Sequence, residues 1–270
     1  MDRAPGPNAD TFVELGSRAS TRTGFAGIDA SRFRVIRQLG RGGMGLVFEA
    51  VDRDSGQRVA LKTLQSLTGQ ALYRFKREFR ELVDLNHPNL VELYELHNVQ
   101  KDWFFTMELV DGIDLLEWVR ADDADAATRL ERVESILPPL LWGLDAIHRS
   151  GNLHMDVKPQ NILIERSGQP KILDFGLVRG LEAHRPSSAT DQGVMGTVAY
   201  MAPEQAAGLD VGPKADYYAM ATVLFEAITG RLPFGVKPAQ LLLAKQFETA
   251  ARVTEYVPEA SERLTDVIAA

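Results

Sequence analysis

Between His154 and Gly176 the chain reads HMDVKPQN, a short apolar run (Ile162, Leu163, Ile164), a turn from Glu165 to Gln169, a second apolar pair (Ile172, Leu173) and then Asp174-Phe175-Gly176. Four side chains here can do chemistry: the carboxylates of Asp156 and Asp174, the amide of Asn161 and the ammonium of Lys158. Carboxylate and amide oxygens are hard ligands of the kind Mg²⁺ takes. A carboxylate left over can accept a hydroxyl proton, and an ammonium can offset developing negative charge. Together they suit work on a metal-bound polyphosphate. Two apolar runs around a Ser-Gly turn predict a hairpin. It carries Asp156, Lys158 and Asn161 at one end and returns Asp174 beside them.

A second set of residues lies upstream. Gly40-Arg41-Gly42-Gly43-Met44-Gly45 contains a GxGxxG. Alone it reads more readily as a plain glycine-rich hairpin turn than as a phosphate cradle. A dinucleotide fold would follow it with a helix, but Leu46-Val47-Phe48 continues as a strand, and no Lys-Ser/Thr follows the glycines, which excludes a Walker loop. What remains is a strand–turn–strand flap whose backbone N–H groups can approach phosphates. Val59-Ala60-Leu61-Lys62 puts Lys62 near the end of a strand in the same sheet; a lone lysine there reads as a solvated edge residue. Glu78 changes that, because it sits beside the apolar face of a helix and an inward carboxylate needs a cation.

The elements that position these groups follow from periodicity. Phe33–Leu39, Leu46–Val51, Arg58–Thr63, Val91–His97 and Trp103–Met107 read as strands, with Asp54-Ser55-Gly56 turning the second into the third. Leu72, Phe75, Phe79 and Leu82 recur at helical spacing and predict a helix over 71–85. After Met107 the pattern is mainly helical. The segment 128–148 is helical but carries Pro138-Pro139, which should kink or split it. Tyr217–Thr229 reads as a buried helix, apolar apart from Glu226, stopping at Gly230; 238–247 and 258–270 read as two more. Residues 1–31 lack apolar periodicity and read as a flexible leader. The expected fold is α+β with two lobes: a small antiparallel sheet with one helix (32–107), a connection (108–113) and a larger helical lobe (114–270).

Composition narrows the function. With 37 acidic against 30 basic residues, the net charge of −7 argues against nucleic-acid binding through bulk positive charge. There are no cysteines, so disulfides and thiolate metal sites are excluded. No apolar run approaches the roughly 18 residues that cross a bilayer. A soluble, cytoplasmic protein with no membrane segment is the expectation.

The flap, the VALK strand, Glu78, HMDVKPQN, DFG and Ala202-Pro203-Glu204 occur in the order of the protein-kinase signature set. Over about residues 32–250 the chain resembles a Hanks-type serine/threonine protein kinase of the bacterial, eukaryotic-like kind. The resemblance implies ATP and Mg²⁺ as cofactors and proteins bearing Ser or Thr as substrates, autophosphorylation included. It implies that Gly40, Gly42 and Gly45 cover the phosphates and that Lys62, paired to Glu78, holds the α and β phosphates. Asn161 and Asp174 would bind Mg²⁺, Asp156 would accept the hydroxyl proton, Lys158 would offset charge on the phosphoryl group, and Thr197 would orient Asp156 and Lys158. Met107 matches the gatekeeper, Glu108 to Val110 the hinge that reads adenine, and Asp114 a ribose contact; Val47, Ala60 and Leu163 complete the nucleotide pocket. Phe175, His154, Leu82 and Leu93 match an apolar stack between lobes. Lys158 and the run Gly196–Tyr200 resemble the serine/threonine class rather than tyrosine kinases.

Two departures stand out. Met155 takes the place of the Arg that receives an activation-loop phosphate in many kinases. Phosphorylation of Ser187, Ser188 or Thr190 is therefore not expected to be the main on-switch. The resemblance also implies further chain after Ala270, including an Arg that pairs with Glu204, so the helical lobe reads as cut short. A nucleotide-binding scaffold without turnover, or a regulatory module of a larger signalling protein, stands as the alternative to an active enzyme.

Overall fold

Five antiparallel strands build the smaller lobe in the order β1-β2-β3-β5-β4. They are β1 (Phe33–Gly42), β2 (Gly45–Asp52), β3 (Arg58–Leu64), β4 (Leu93–Val99) and β5 (Asp102–Glu108). The structure is a computed structural model, and it describes residues 28, 30–42, 45–64, 69–100, 102–175, 198–235 and 238–269. The leader up to residue 27, the sites Ser187, Ser188 and Thr190, and Thr197 fall outside the described residues. Side chains alternate across a strand, and the register sorts them into two populations. Phe48, Ala50, Val59, Leu61 and Phe104 pack with Phe33 on one face. Val47, Ala60, Lys62, Phe105 and Met107 share the other, because Val47 pairs with Lys62, Lys62 with Phe105 and Ala60 with Met107.

That second face is covered by α1 (Gly69–Val83), which buries Phe75, Phe79 and Leu82 and leaves Leu72 half-buried. Its aromatic rings meet Phe105 at centroid distances of 6.2 and 5.6 Å. The same core runs on into the larger lobe without a break.

The hairpin predicted over 162–173 is present as β7 (Ile162–Glu165) and β8 (Pro170–Ile172), paired antiparallel. A third strand, β6 (Gly112–Asp114), joins its outer edge and corrects the expectation of a plain connection through 113. Gly112 is what permits it: a Cβ there would lie 2.6 Å from the Ile164 carbonyl oxygen, so only glycine lets the strands close.

The helices are α2 (Leu115–Val119), α3 (Ala126–Arg149), α4 (Pro203–Ala206), α5 (Pro213–Thr229), α6 (Pro238–Phe247) and α7 (Glu262–Ala269). α3 is one helix of 24 residues and is not split at Pro138-Pro139. The two prolines remove N–H groups that would bond to the carbonyls of Glu134 and Ser135. Both of those residues are exposed, so water can take the freed carbonyls and the helix continues. α5 is buried along most of its length and ends at Gly230, as the sequence predicts. Among the described residues no helix is long and apolar enough to cross a membrane.

Candidate active site

The loop from Asn152 to Lys158 has no regular structure of its own, and its shape is imposed from below. Asp216, on the first turn of α5 and 2% exposed, presents both carboxylate oxygens to it. One oxygen accepts the His154 N–H at 2.8 Å and lies 2.8 Å from His148 Nε2 on α3; the other accepts the Met155 N–H at 2.8 Å. Burial works to raise the Asp216 pKa, but the His148 bond, the nearby His154 ring and the two backbone donors outweigh it and hold the carboxyl below its usual range. His154 is fully buried, which lowers its pKa and keeps its ring neutral; its Nε2 is 3.0 Å from the Leu173 carbonyl oxygen and its Nδ1 accepts the Asp156 N–H at 3.2 Å. Its role therefore extends beyond the packing stack, because it braces the loop to the end of β8. Gln205 on α4 donates to the Met155 carbonyl at 2.9 Å. These bonds hold Met155 at φ +68, a conformation that costs a non-glycine residue about 1 kcal/mol or more.

The loop delivers three groups to one place. Lys158 Nζ is 2.6 Å from Asp156 Oδ2, and Asn161 Nδ2 donates to the same oxygen at 3.1 Å and to the Asp156 carbonyl at 2.8 Å. Asn161 is buried, and its amide nitrogen is turned inward, so its Oδ1 is the atom left for a ligand. The Leu173 N–H donates to the Asn161 carbonyl at 2.8 Å, which sets Asp174 beside this group. Asp174 itself has φ +57. That left-handed turn aims its carboxylate at the smaller lobe, where Lys62 Nζ lies 2.5 Å from Oδ2. Lys62, expected as the partner of Glu78, is thus ion-paired to Asp174, while Glu78 is buried on α1 in the same lobe.

In the flap, Gly40 pairs with Val47 and Gly42 with Gly45. The glycines are not equivalent. A Cβ on Gly40 would meet nothing within 4 Å, whereas on Gly45 (φ +150) it would fall 1.9 Å from the Thr63 carbonyl oxygen. Gly45 is therefore required by the packing of β2 on β3 before any ligand is considered. Thr63 Oγ1 also accepts the Leu46 N–H at 2.9 Å.

The remaining expected pocket residues lie on two elements. Val47, Ala60 and Met107 share the inner sheet face with Lys62, and Leu163 is on β7 of the larger lobe, paired with Asp114. Asp114 carries a structural duty that sequence reading missed: its Oδ1 caps α2, accepting from Leu116 N at 2.8 Å and Glu117 N at 3.4 Å. The Glu108 side chain is also engaged, 2.9 Å from Lys171 Nζ, which ties the hinge to β8. Val110 is half-buried in the connection between β5 and β6. Phe175, Leu82 and Leu93 are all buried, as the stack required. His87-Pro88-Asn89 forms the expected turn, but Asn89 is buried and donates to the Pro170 carbonyl at 3.0 Å, fastening the chain before β4 to the hairpin. Glu204 is half-buried rather than buried.

Asp216 is the principal residue that sequence reading missed. The apolar pattern that predicts the helix begins at Tyr217, whereas α5 starts at Pro213, four residues earlier, and so takes in Asp216. A lone acidic residue at the head of an apolar helix was the available signal.

A two-lobed fold, with a lysine from the sheet reaching an aspartate from the hairpin, defines the class of protein kinase domains, and comparison with known proteins agrees. The sequence profile of the protein kinase domain matches residues 33–269, and the chain belongs to that family. Within it the chain is of the Hanks-type bacterial serine/threonine group. It is 34% identical to the probable serine/threonine-protein kinase PknB of Lactococcus lactis over 89% of this chain and 38% of that one. It is 36% identical to Pkn1 of Myxococcus xanthus (90% and 35%) and 31% identical to PrkC of Bacillus subtilis (87% and 37%). The chain thus spans little more than a third of the length of these relatives. The crystal structure of the PknI kinase domain of Mycobacterium tuberculosis superposes with a TM-score of 0.65 at 26% identity, covering 91% of this chain and 88% of that one.

Proposed function

We propose that this chain transfers the γ-phosphoryl group of ATP to Ser and Thr hydroxyls of proteins, its own included. The observation that carries the reading is the convergence of Asp156, Lys158 and Asn161 on one another within 3.1 Å, beside an Asp174 that is bonded to Lys62. Asp156 takes the hydroxyl proton as the new O–P bond forms and the bond to the β-phosphate oxygen breaks, releasing ADP. Lys158 offsets charge on the moving phosphoryl group, and Lys62 holds the α and β phosphates. Val47, Ala60, Met107 and Leu163 enclose the base, and the backbone of Glu108 to Val110 reads its edge. Mg²⁺, when bound, neutralises and orients the β and γ phosphates. The residues present fit it: Asn161 Oδ1 and the Asp174 carboxylate are hard oxygens, and the Leu173 N–H bond to the Asn161 carbonyl sets the two residues near each other. A Mg²⁺ shared with substrate phosphates needs few protein ligands. The same reading has the domain act on the cytoplasmic side, where ATP is, in a signalling role.

The reading is tested by incubating the chain with γ-labelled ATP and Mg²⁺, alone and with a generic Ser/Thr protein substrate. Label is expected on protein with the natural sequence and not with Asp156→Asn or Lys62→Met. Nucleotide binding without any transfer would favour the scaffold reading instead.

A further inference from the structure

Lys245, on α6, is buried at 6% exposure, an unusual place for an ammonium. Its polar partners are backbone carbonyls: Val198 at 3.0 Å, Ala199 at 2.7 Å and Met201 at 2.6 Å. Its Nζ also lies 5.3 Å from the centroid of the Tyr218 ring on α5. Burial pulls its pKa down to about 8, so at neutral pH most of it keeps its proton. Three donors meet three acceptors, which matches the full hydrogen-bonding capacity of the group. An apolar side chain would fill the space without the desolvation cost of a buried charge. What it could not do is gather three carbonyls of one short segment onto one point.

The segment so gathered stands next to the reacting groups. Tyr200 and Met201 line a small cavity together with Met155, Asp156, Val157 and Gln205. The cavity runs down to Asp216 on α5, so the segment sits beside the loop that carries Asp156, and an acceptor polypeptide that presents its hydroxyl to Asp156 comes close to it. On the reading of the chain as a protein kinase, we propose that Lys245 is a positioning residue for the protein substrate, fixing the backbone of Val198–Met201 against which the acceptor segment lies. Its hydrogen bonds go to Val198, Ala199 and Met201, so its removal loosens the acceptor side of the site and leaves Lys62 and Asp174 in place.

Steady-state kinetics on the whole chain test this, using a Ser/Thr peptide as acceptor and, separately, water. Lys245→Met is expected to raise the peptide KM about tenfold or more, the worth of lost charge-assisted hydrogen bonds. KM for ATP and the rate of ATP hydrolysis should stay at their original values, and Lys245→Arg, which keeps charge and donors, should recover much of the peptide KM. An unchanged peptide KM overturns the inference, as does a parallel loss of ATP affinity and hydrolysis, which marks a merely structural role. Should Lys245→Met fail to fold, Lys245→Gln, which keeps two donors, carries the same comparison. If the natural sequence transfers no phosphate to any peptide, the kinase reading itself has failed, and that outcome is separate from an unmoved KM.

Discussion

The two acidic groups of the site are held in opposite ways. Asp156 sits in a loop whose backbone is anchored from beneath by Asp216, His154 and Gln205, and its carboxylate is met by Lys158 and Asn161, two and five residues along. Asp174 follows a short strand, with Lys62 of the other lobe as its ion-pair partner. The first arrangement lies within the larger lobe; the second bridges the two lobes. A carboxylate that must receive a proton at a fixed distance gains from the first, because misplacement of reacting atoms costs rate steeply. One that must follow a nucleotide held between two bodies gains from the second.

Substitutions can separate these two modes. The largest effect is expected at Asp156: its change to Asn should cut phosphoryl transfer by roughly 10²–10⁴-fold, the worth of a positioned base, while binding of an ATP analogue survives. Lys62→Met should come next, with turnover down about a hundredfold from the loss of a phosphate-facing charge and nucleotide affinity falling with it. That joint loss, read in a titration with an ATP analogue, distinguishes the cross-lobe pair from the local one. Asp216→Asn acts on the anchor instead and should cost stability, about 3 kcal/mol for disrupting a buried, hydrogen-bonded charge, measured by urea unfolding. Its pH dependence has a definite sign. Because the folded pKa is depressed, the Asp216 contribution is complete above the unfolded value near ~4 and is lost as pH falls through the folded one. The acid side of the stability profile should be flatter in the Asn variant. The smallest effect is expected from Ser187, Ser188 and Thr190 together changed to Ala. With Met155 in the loop and Gln205 and Asp216 already fixing it, peptide phosphorylation should stay close to its original rate; a large loss would assign activation to that segment after all.

Much of this was legible in the sequence because the contacts involved are short in range. Strands β1 to β5 announce themselves by runs of Val, Leu and Phe between turn residues, and α1 by the spacing of Phe75, Phe79 and Leu82. Asp156, Lys158 and Asn161 fall together because five residues of chain leave them little choice. The hairpin returned Asp174 for the same reason. What was hidden depends on partners far along the chain. Asp216 reaches residues 62 and 68 positions away; its place at the head of an apolar helix marks it, but nothing local names its partners. β6 is too short to show alternation and exists because β7 offers it an edge. The Pro138-Pro139 expectation failed because a local rule about backbone donors took no account of which way the affected carbonyls point. Lys62 was expected beside Glu78, and the left-handed turn at Asp174 brings a further carboxylate to it.

Asp216 also bears on what descent can and cannot alter. One side chain answers to three donors from two elements. Asparagine offers a single acceptor oxygen, and glutamate shifts the pair by a methylene, so no neighbouring residue type reproduces the arrangement. A lineage that abandoned phosphate transfer could discard Asp156 or Lys158 and still inherit an intact lower lobe, but it would have every reason to retain Asp216. An aspartate at the head of that helix therefore answers to the shape of the lobe, and only the groups on the loop above it answer to a living enzyme.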